Sequence, residues 1–321
     1  MKAKENHSRE TYNNATHQLH TTPVLESLLV PLKEYIFCPA VTDLMVNPDG
    51  SIHIDKAGRL ISTSKSLSKT DRFSILRELA GFYDLVINKE SPELACKLPG
   101  DIPGRVQAFI PPITDGPSFC IRFPARSKLS LKQLVKRQFM TQEQADSLVS
   151  YVQARKNILI AGGTGSGKTT LANALLDVIR DERLVIIEDT SEIIVKNVNT
   201  VYMFTLSHFT ARDAVRTSLR YRPDRIILGE VRDGAALEWV KASLTGHPGS
   251  LVTLHADSAA GVRDRLYSLI QEAVPNPSYQ QIDSAVDYAV FVSRDPKGFR
   301  KLQQITALKE LREQIKGEEA A

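Results

Sequence analysis

The sequence predicts an α/β protein in two domains, a three-layer α/β domain preceded by a smaller α+β domain. Three observations carry this reading. At 321 residues, the chain exceeds what one compact core usually holds. From residue 132 onward, short apolar runs alternate with segments of helical period, as a mainly parallel sheet covered by helices requires. One of those runs, Ile158-Leu159-Ile160-Ala161, leads through a glycine-rich loop into a segment whose Leu171, Ala172, Leu175, Leu176 and Ile179 share one helical face.

Residues 1–22 are rich in Asn, Thr, His and Ser without apolar periodicity, and read as a mobile tail. The first domain is expected over residues 23–124. It opens with a helical pattern from Leu25 to Ile36, which Pro31 should bend or end. Between Val41 and Ile61 the period turns to β, with a hairpin from Val41–Val46 to Ser51–Ile54 across Asn47-Pro48-Asp49-Gly50. Ser68–Ile87 returns to a helical period. Short strands follow at Leu94–Leu98, Arg105–Ile110 and Ser118–Phe123, separated by turns that contain Pro or Gly.

Residues 125–131 read as a linker, and 132–321 as the second domain. A single long polar helix is expected from Leu131 to Ala154. Buried strands are expected at Ile158–Ala161, Leu184–Ile187, Ile226–Leu228 and Leu251–Leu254. Two further runs, Tyr288–Val292 and Lys301–Leu308, read as antiparallel edge additions.

The loop in the second domain is Gly162-Gly163-Thr164-Gly165-Ser166-Gly167-Lys168-Thr169, followed by Thr170, a complete G-x-x-x-x-G-K-[ST] phosphate loop between a strand and a helix. Its glycines let successive N–H groups turn inward around phosphates, and the following helix adds the positive end of its dipole. Lys168 should reach the β- and γ-phosphates and Thr169 should ligate Mg2+. The loop therefore predicts binding of a nucleoside triphosphate.

Hydrolysis needs more than a cradle: a metal must be held, a water aimed, and developing charge met. Arg225-Ile226-Ile227-Leu228-Gly229-Glu230 is an apolar strand ending in an acid, with Gly229 where a second acid often stands in other P-loop proteins. Glu188-Asp189 ends another strand. Glu188 and Glu230 are thus candidates for the metal, directly or through water, and for the proton of the attacking water; the sequence leaves their division of labour open. His255 also follows a buried strand, where it could donate to the γ-phosphate, whereas His247, beside Pro248 and Gly249, reads as a turn residue. Positive charge could come from Arg220, Arg222, Arg225 and Arg232 around the Glu230 strand, or from Arg105 and Arg122 in the first domain.

These motifs together resemble the type II/type IV secretion ATPases. Leu219 to Asp233 is similar to that family's signature, Ile187-Glu188-Asp189-Thr190 to its aspartate box, and Thr245 to Ala256 to its histidine box. Arg105-Val106-Gln107-Ala108, Pro111-Pro112 and Ile121-Arg122 resemble its N-terminal pattern. The Arg-Pro-Asp-Arg form is most like the TrbB-type conjugal-transfer branch, although Arg232 to Trp239 is less so. The resemblance implies a RecA-like P-loop domain and a homohexameric ring that couples ATP hydrolysis to motion at the base of a membrane apparatus. It implies ATP as the nucleotide, with Glu188 and Glu230 in hydrolysis, His255 at the γ-phosphate, and Arg105 and Arg122 contributed from the N-terminal domain. The partners it implies are inner-membrane components, through which the protein would associate peripherally with the cytoplasmic face of the membrane. A type II secretion motor is disfavoured, because the zinc module usual there has four cysteines after the P-loop, and Cys38, Cys96 and Cys120 all precede Lys168. A pilus-retraction motor is closer.

Composition narrows the alternatives. No apolar run approaches the length of a membrane span and the first residues carry no signal-like core, so a cytoplasmic protein is expected. The cysteines, odd in number and far apart, suggest neither a disulfide framework nor a zinc site. A net charge of +4 is too weak to argue for direct nucleic-acid binding, which disfavours a helicase-like motor. A ring that uses nucleotide only to hold its shape remains as the non-catalytic alternative.

Overall fold

The computed structural model describes residues 22–56, 59–100, 104–124, 128–189, 191–206, 209–295 and 298–309. The expected tail, apart from Thr22, and the expected linker up to residue 127 lie outside these residues. The chain forms two compact units, Met1–Arg126 and Ser127–Ala321.

In the first unit, helix α1 (Pro23–Leu28) starts where the Thr22 hydroxyl accepts the Leu25 N–H and Pro23 presets the first turn. The helical pattern does not run unbroken to Ile36. A 3-10 turn at Val30–Leu32, which holds Pro31, separates α1 from α2 (Lys33–Ile36). Strands β1 (Val41–Val46), β2 (Ser51–Lys56) and β3 (Arg59–Ser66), helix α3 (Lys69–Phe82), and strands β4 (Glu93–Lys97), β5 (Arg105–Phe109) and β6 (Ser118–Arg122) follow. The sheet order is β3-β2-β1-β6-β5-β4, antiparallel throughout. Strand β3 extends the expected hairpin into a third strand. Its side chains are mostly exposed, so it lacks the alternation by which a half-buried strand is read. Leu25, Leu29, Leu32 and Ile36 join Ile75, Leu76 and Leu79 of α3 over the buried face of the sheet.

The second unit begins with two helices in place of the one expected. Helix α4 (Leu131–Lys136) stops before Gln138, whose φ of 57° is left-handed, and α5 (Gln142–Gln153) restarts on a capping box formed by Thr141 and Gln144. The chain then alternates: β7 (Ile158–Ala161), α6 (Lys168–Leu176), β8 (Leu184–Glu188), β9 (Thr200–Phe204), α7 (Ala211–Ser218), β10 (Arg225–Leu228), α8 (Ala235–Leu244), β11 (Leu251–Leu254), α9 (Gly261–Gln271), α10 (Tyr279–Ala285), β12 (Tyr288–Arg294) and β13 (Arg300–Ala307). The sheet order is β13-β12-β7-β11-β10-β8-β9. Among the described strands of this sheet, β12 and β13 are the one antiparallel pair. Strand β12, expected as an antiparallel addition, lies parallel to β7, because α9 and α10 return the chain to the starting end of the sheet and let Val290 and Val292 enter the core. Strand β9, for which no strand is expected from the sequence, forms the far edge and is only partly buried, so it lacks the continuous apolar run of the inner strands.

Arg225 is not available to the Glu230 end of its strand. It is buried at the opening of β10, where Nη2 and Nε pair with Glu182 at 2.7 and 2.9 Å and Nη1 donates to Val152 O at 2.9 Å. The parallel arrangement sends the carboxyl ends of β7, β11, β10 and β8 to one edge of the sheet, the usual place for a ligand in such folds.

Candidate nucleotide site

Four strand ends gather the chemistry of the second unit. The phosphate loop leaves β7 and enters α6 through Gly167, whose φ of 104° is a conformation that glycine adopts without strain. Lys168 is buried within the loop, its Nζ donating to Gly162 O at 2.8 Å and Gly163 O at 3.0 Å. Burial lowers its pKa, while the charges of Glu230 and Glu192 act to raise it. A desolvated ammonium held by carbonyls is poised for a stronger anionic partner.

The next residue, Thr169, donates from Oγ1 to Glu192 Oε2 at 3.1 Å. Glu192 lies in the segment after β8, which is fastened to α6 by Asn173: Nδ2 donates to Glu192 O at 2.9 Å, and Oδ1 accepts from Ile194 N at 2.8 Å. Glu192 was missed in the sequence because no period marks this segment; its spacing of four from Glu188 is the only local signal.

Glu188 closes β8 and is buried. Its Oε1 accepts the N–H groups of Glu192 and Ile193 at 3.0 and 2.9 Å, whereas Oε2 is buried with no hydrogen-bond partner among the described residues. Burial pushes this carboxyl up to about 8, against the effect of the two backbone hydrogen bonds. The structure also explains the glycine where a second acid often stands. A Cβ on Gly229 would lie 2.9 Å from Glu188 Cγ and 3.5 Å from its Cβ, so the space is already taken by the acid of the neighbouring strand. Gly229→Ala is therefore expected to displace Glu188 and to lower stability by about 1–3 kcal/mol, the usual cost of overpacking. Denaturant titration of the purified variant measures this.

Glu230 stands just beyond β10. Its Oε2 accepts from Arg232 Nη2 at 2.7 Å, and Oε1 is 3.5 Å from His255 Nε2 at the end of β11. Arg232 also reaches Asp189 Oδ2 at 3.4 Å, so it spans two of the strand ends. His255 is held below its ordinary pKa by burial first and by the charge of Lys168 second, with Glu230 opposing; it is neutral at neutral pH. The loop from Gly162 to Thr170, Glu188, Glu230 and His255 thus converge. Arg105 and Arg122 lie in the first unit, directly opposite each other across β5 and β6, and Arg122 Nε pairs with Asp43 Oδ1 at 2.9 Å.

The donor set suits a triphosphate and its Mg2+. Among the described residues, no group of three or more His, Cys, Asp or Glu side chains forms a metal cage. A P-loop metal needs none, since a hydroxyl, a carboxylate, water and phosphate oxygens would suffice to hold it. Among the described residues, Glu188 Oε2 and, within the loop, Ser166 Oγ are buried without a hydrogen-bond partner, and such a ligand and its water would satisfy both.

Comparison with known proteins gives the family and the fold. Residues 29–294 match the family model described as type II/IV secretion system protein. The probable conjugal transfer protein TrbB of Sinorhizobium fredii (strain NBRC 101917 / NGR234) is 38% identical over 265 residues, 81% of this chain and 81% of that protein. The type IV secretion system protein VirB11 of Bartonella quintana (strain Toulouse) is 30% identical over 306 residues, 81% of this chain and 85% of that protein. Among solved structures, the pilus retraction motor PilT with bound ADP superposes with a TM-score of 0.64 over 89% of this chain and 86% of that one, at 19% identity, a likeness of fold.

Proposed function

The chain belongs to the type II/IV secretion system protein family, and on that premise we propose that it is the ATP-hydrolysing motor of a conjugal-transfer apparatus, working as a homohexameric ring. It is an ATPase of a secretion or conjugation system. The observation that carries the reading is the meeting of Glu188, Glu230 and His255 with a complete phosphate loop at one edge of a parallel sheet. The conjugal assignment rests on the similarity to TrbB.

The residues divide the work as follows. The N–H groups from Gly163 to Thr170 and the Lys168 ammonium, released from the Gly162 and Gly163 carbonyls, hold the β- and γ-phosphates of ATP. Thr169 Oγ1 and, through water, Glu230 would hold Mg2+, which when bound would neutralise phosphate charge. Glu188 Oε2 takes the proton from the water that attacks the γ-phosphorus, and ADP leaves; a carboxylate with a pKa near 8 retains the proton that the reaction releases. Neutral His255 donates from Nε2 to a γ-phosphate oxygen. Arg105 and Arg122 of a neighbouring subunit supply further positive charge, which makes turnover depend on assembly. Attachment at the cytoplasmic face of the membrane is through inner-membrane partners of the apparatus; among the described residues no helix is long and apolar enough to cross a membrane.

Phosphate release per subunit, measured against protein concentration alongside the oligomer's mass, tests the ring. Specific activity should climb as the hexamer forms. Constant activity per subunit through dissociation to monomers would refute a site shared between subunits.

A further inference from the structure

The β12–β13 hairpin brings two arginines to the phosphate loop that neither the sequence motifs nor the proposed mechanism uses. Arg294 closes β12, Arg300 opens β13, and the two are register partners. Arg300 Nε donates to Gly165 O at 2.7 Å, and its Cδ lies 3.6 Å from where a Cβ on Gly167 would stand. The Nη1 of Arg294 is 3.9 Å from the equivalent position on Gly165. Among the described residues, no carboxylate pairs with either guanidinium. Like charges directly opposite each other in a sheet are destabilising unless something answers them, and an anion between them would.

The sheet order tells which part of the ligand that anion is. Strands β11, β10 and β8, with His255, Glu230 and Glu188, lie on one side of β7, and β12 and β13 lie on the other. A nucleotide with its β-phosphate in the loop after β7 and its γ-phosphate toward those three residues extends its α-phosphate the opposite way, over the hairpin. We propose that Arg294 and Arg300 form a cationic clamp on the α- and β-phosphate end of a bound nucleoside di- or triphosphate. The clamp rests on the reading of the loop as a nucleotide site. Guanidinium is suited to it, since its planar fork matches a phosphate's oxygens, and the clamp holds ADP as well as ATP because it never meets the γ-phosphate.

The test uses the full chain with Arg294→Gln, Arg300→Gln and the double substitution, and Lys168→Ala as reference. Affinities for fluorescent ADP and ATP analogues, KM, kcat and the nucleotide-free Tm are measured for each. The double variant should weaken ADP and ATP alike, by about tenfold. Its KM should rise in step, kcat should fall less, and its nucleotide-free Tm should hold or rise as the like-charge pair disappears. Unchanged affinities would overturn the clamp, as would a loss confined to ATP. Weakened binding accompanied by a lowered nucleotide-free Tm would overturn it too, because Arg300 would then be a staple for the loop. Failure of the wild type to bind more tightly than Lys168→Ala would instead overturn the nucleotide reading itself, and the clamp with it.

Discussion

Phosphate release by Lys168→Ala is expected to fall at least about a hundredfold, the cost of removing a preorganised charge from a transition state in a water-poor site. The fold should survive the change. Lys168 is an ammonium whose desolvation, opposed by the charges of Glu230 and Glu192, lowers its pKa, and among the described residues its hydrogen bonds go to the carbonyls of its own loop and it is in no ion pair, so alanine there removes a buried charge whose net environment disfavours it. Tm in the absence of nucleotide should therefore stay level or rise, while the stabilisation that ATP gives the wild type disappears. Calorimetry with and without nucleotide, beside a phosphate assay, checks both halves.

Glu188 should govern the pH dependence. With its carboxyl pushed up to about 8, the carboxylate form, which the proposed mechanism uses as the base, accumulates as pH rises, so kcat/KM should climb through that value. Glu188→Gln should be flat with pH and at least about a hundredfold slower. Stability must move the other way. A carboxyl raised in the folded state binds its proton more tightly folded than unfolded. Its contribution is fully present below the ordinary value of 4.5 and is lost as pH rises through about 8. The stability of the wild type relative to Glu188→Gln should fall over that window, by at most about 1.4 kcal/mol per pH unit. Denaturant titrations of both proteins at a series of pH values measure the difference, and a constant gap from pH 5 to 9 would place Glu188 outside the buried environment described.

The phosphate loop was legible because its chemistry demands particular residues side by side in the chain, and the strands on either side of it because full burial makes them continuous apolar runs. Glu188, Glu230 and His255 could be singled out for the same reason: each ends such a run. What could not be read were facts that depend on distant neighbours. Nothing local to Gly229 says that Glu188 from another strand fills the space beside it. Arg225 reads like the arginines around it until its pairing with Glu182 is seen, and nothing local to Arg300, which lies just outside the expected Lys301–Leu308 strand, says that it donates to Gly165. The direction of β12 was misread because an apolar run carries no sign of its orientation, which is fixed by the two helices that precede it. Likewise, the capping box at Thr141 was hidden within a polar stretch that reads as continuous helix.

The most direct measurement is steady-state phosphate release by the purified full chain and by Glu230→Gln, with ATP binding and oligomer mass determined on the same samples. The wild type should assemble and turn over ATP. Glu230→Gln should assemble and bind ATP, yet release phosphate at least about a hundredfold more slowly, the scale expected on the proposed mechanism when a carboxylate that would position Mg2+ and the γ-phosphate is lost. Wild-type protein that assembles and binds ATP but releases phosphate no faster than Glu230→Gln would contradict a motor, and would identify the ring as a scaffold that nucleotide only holds in shape.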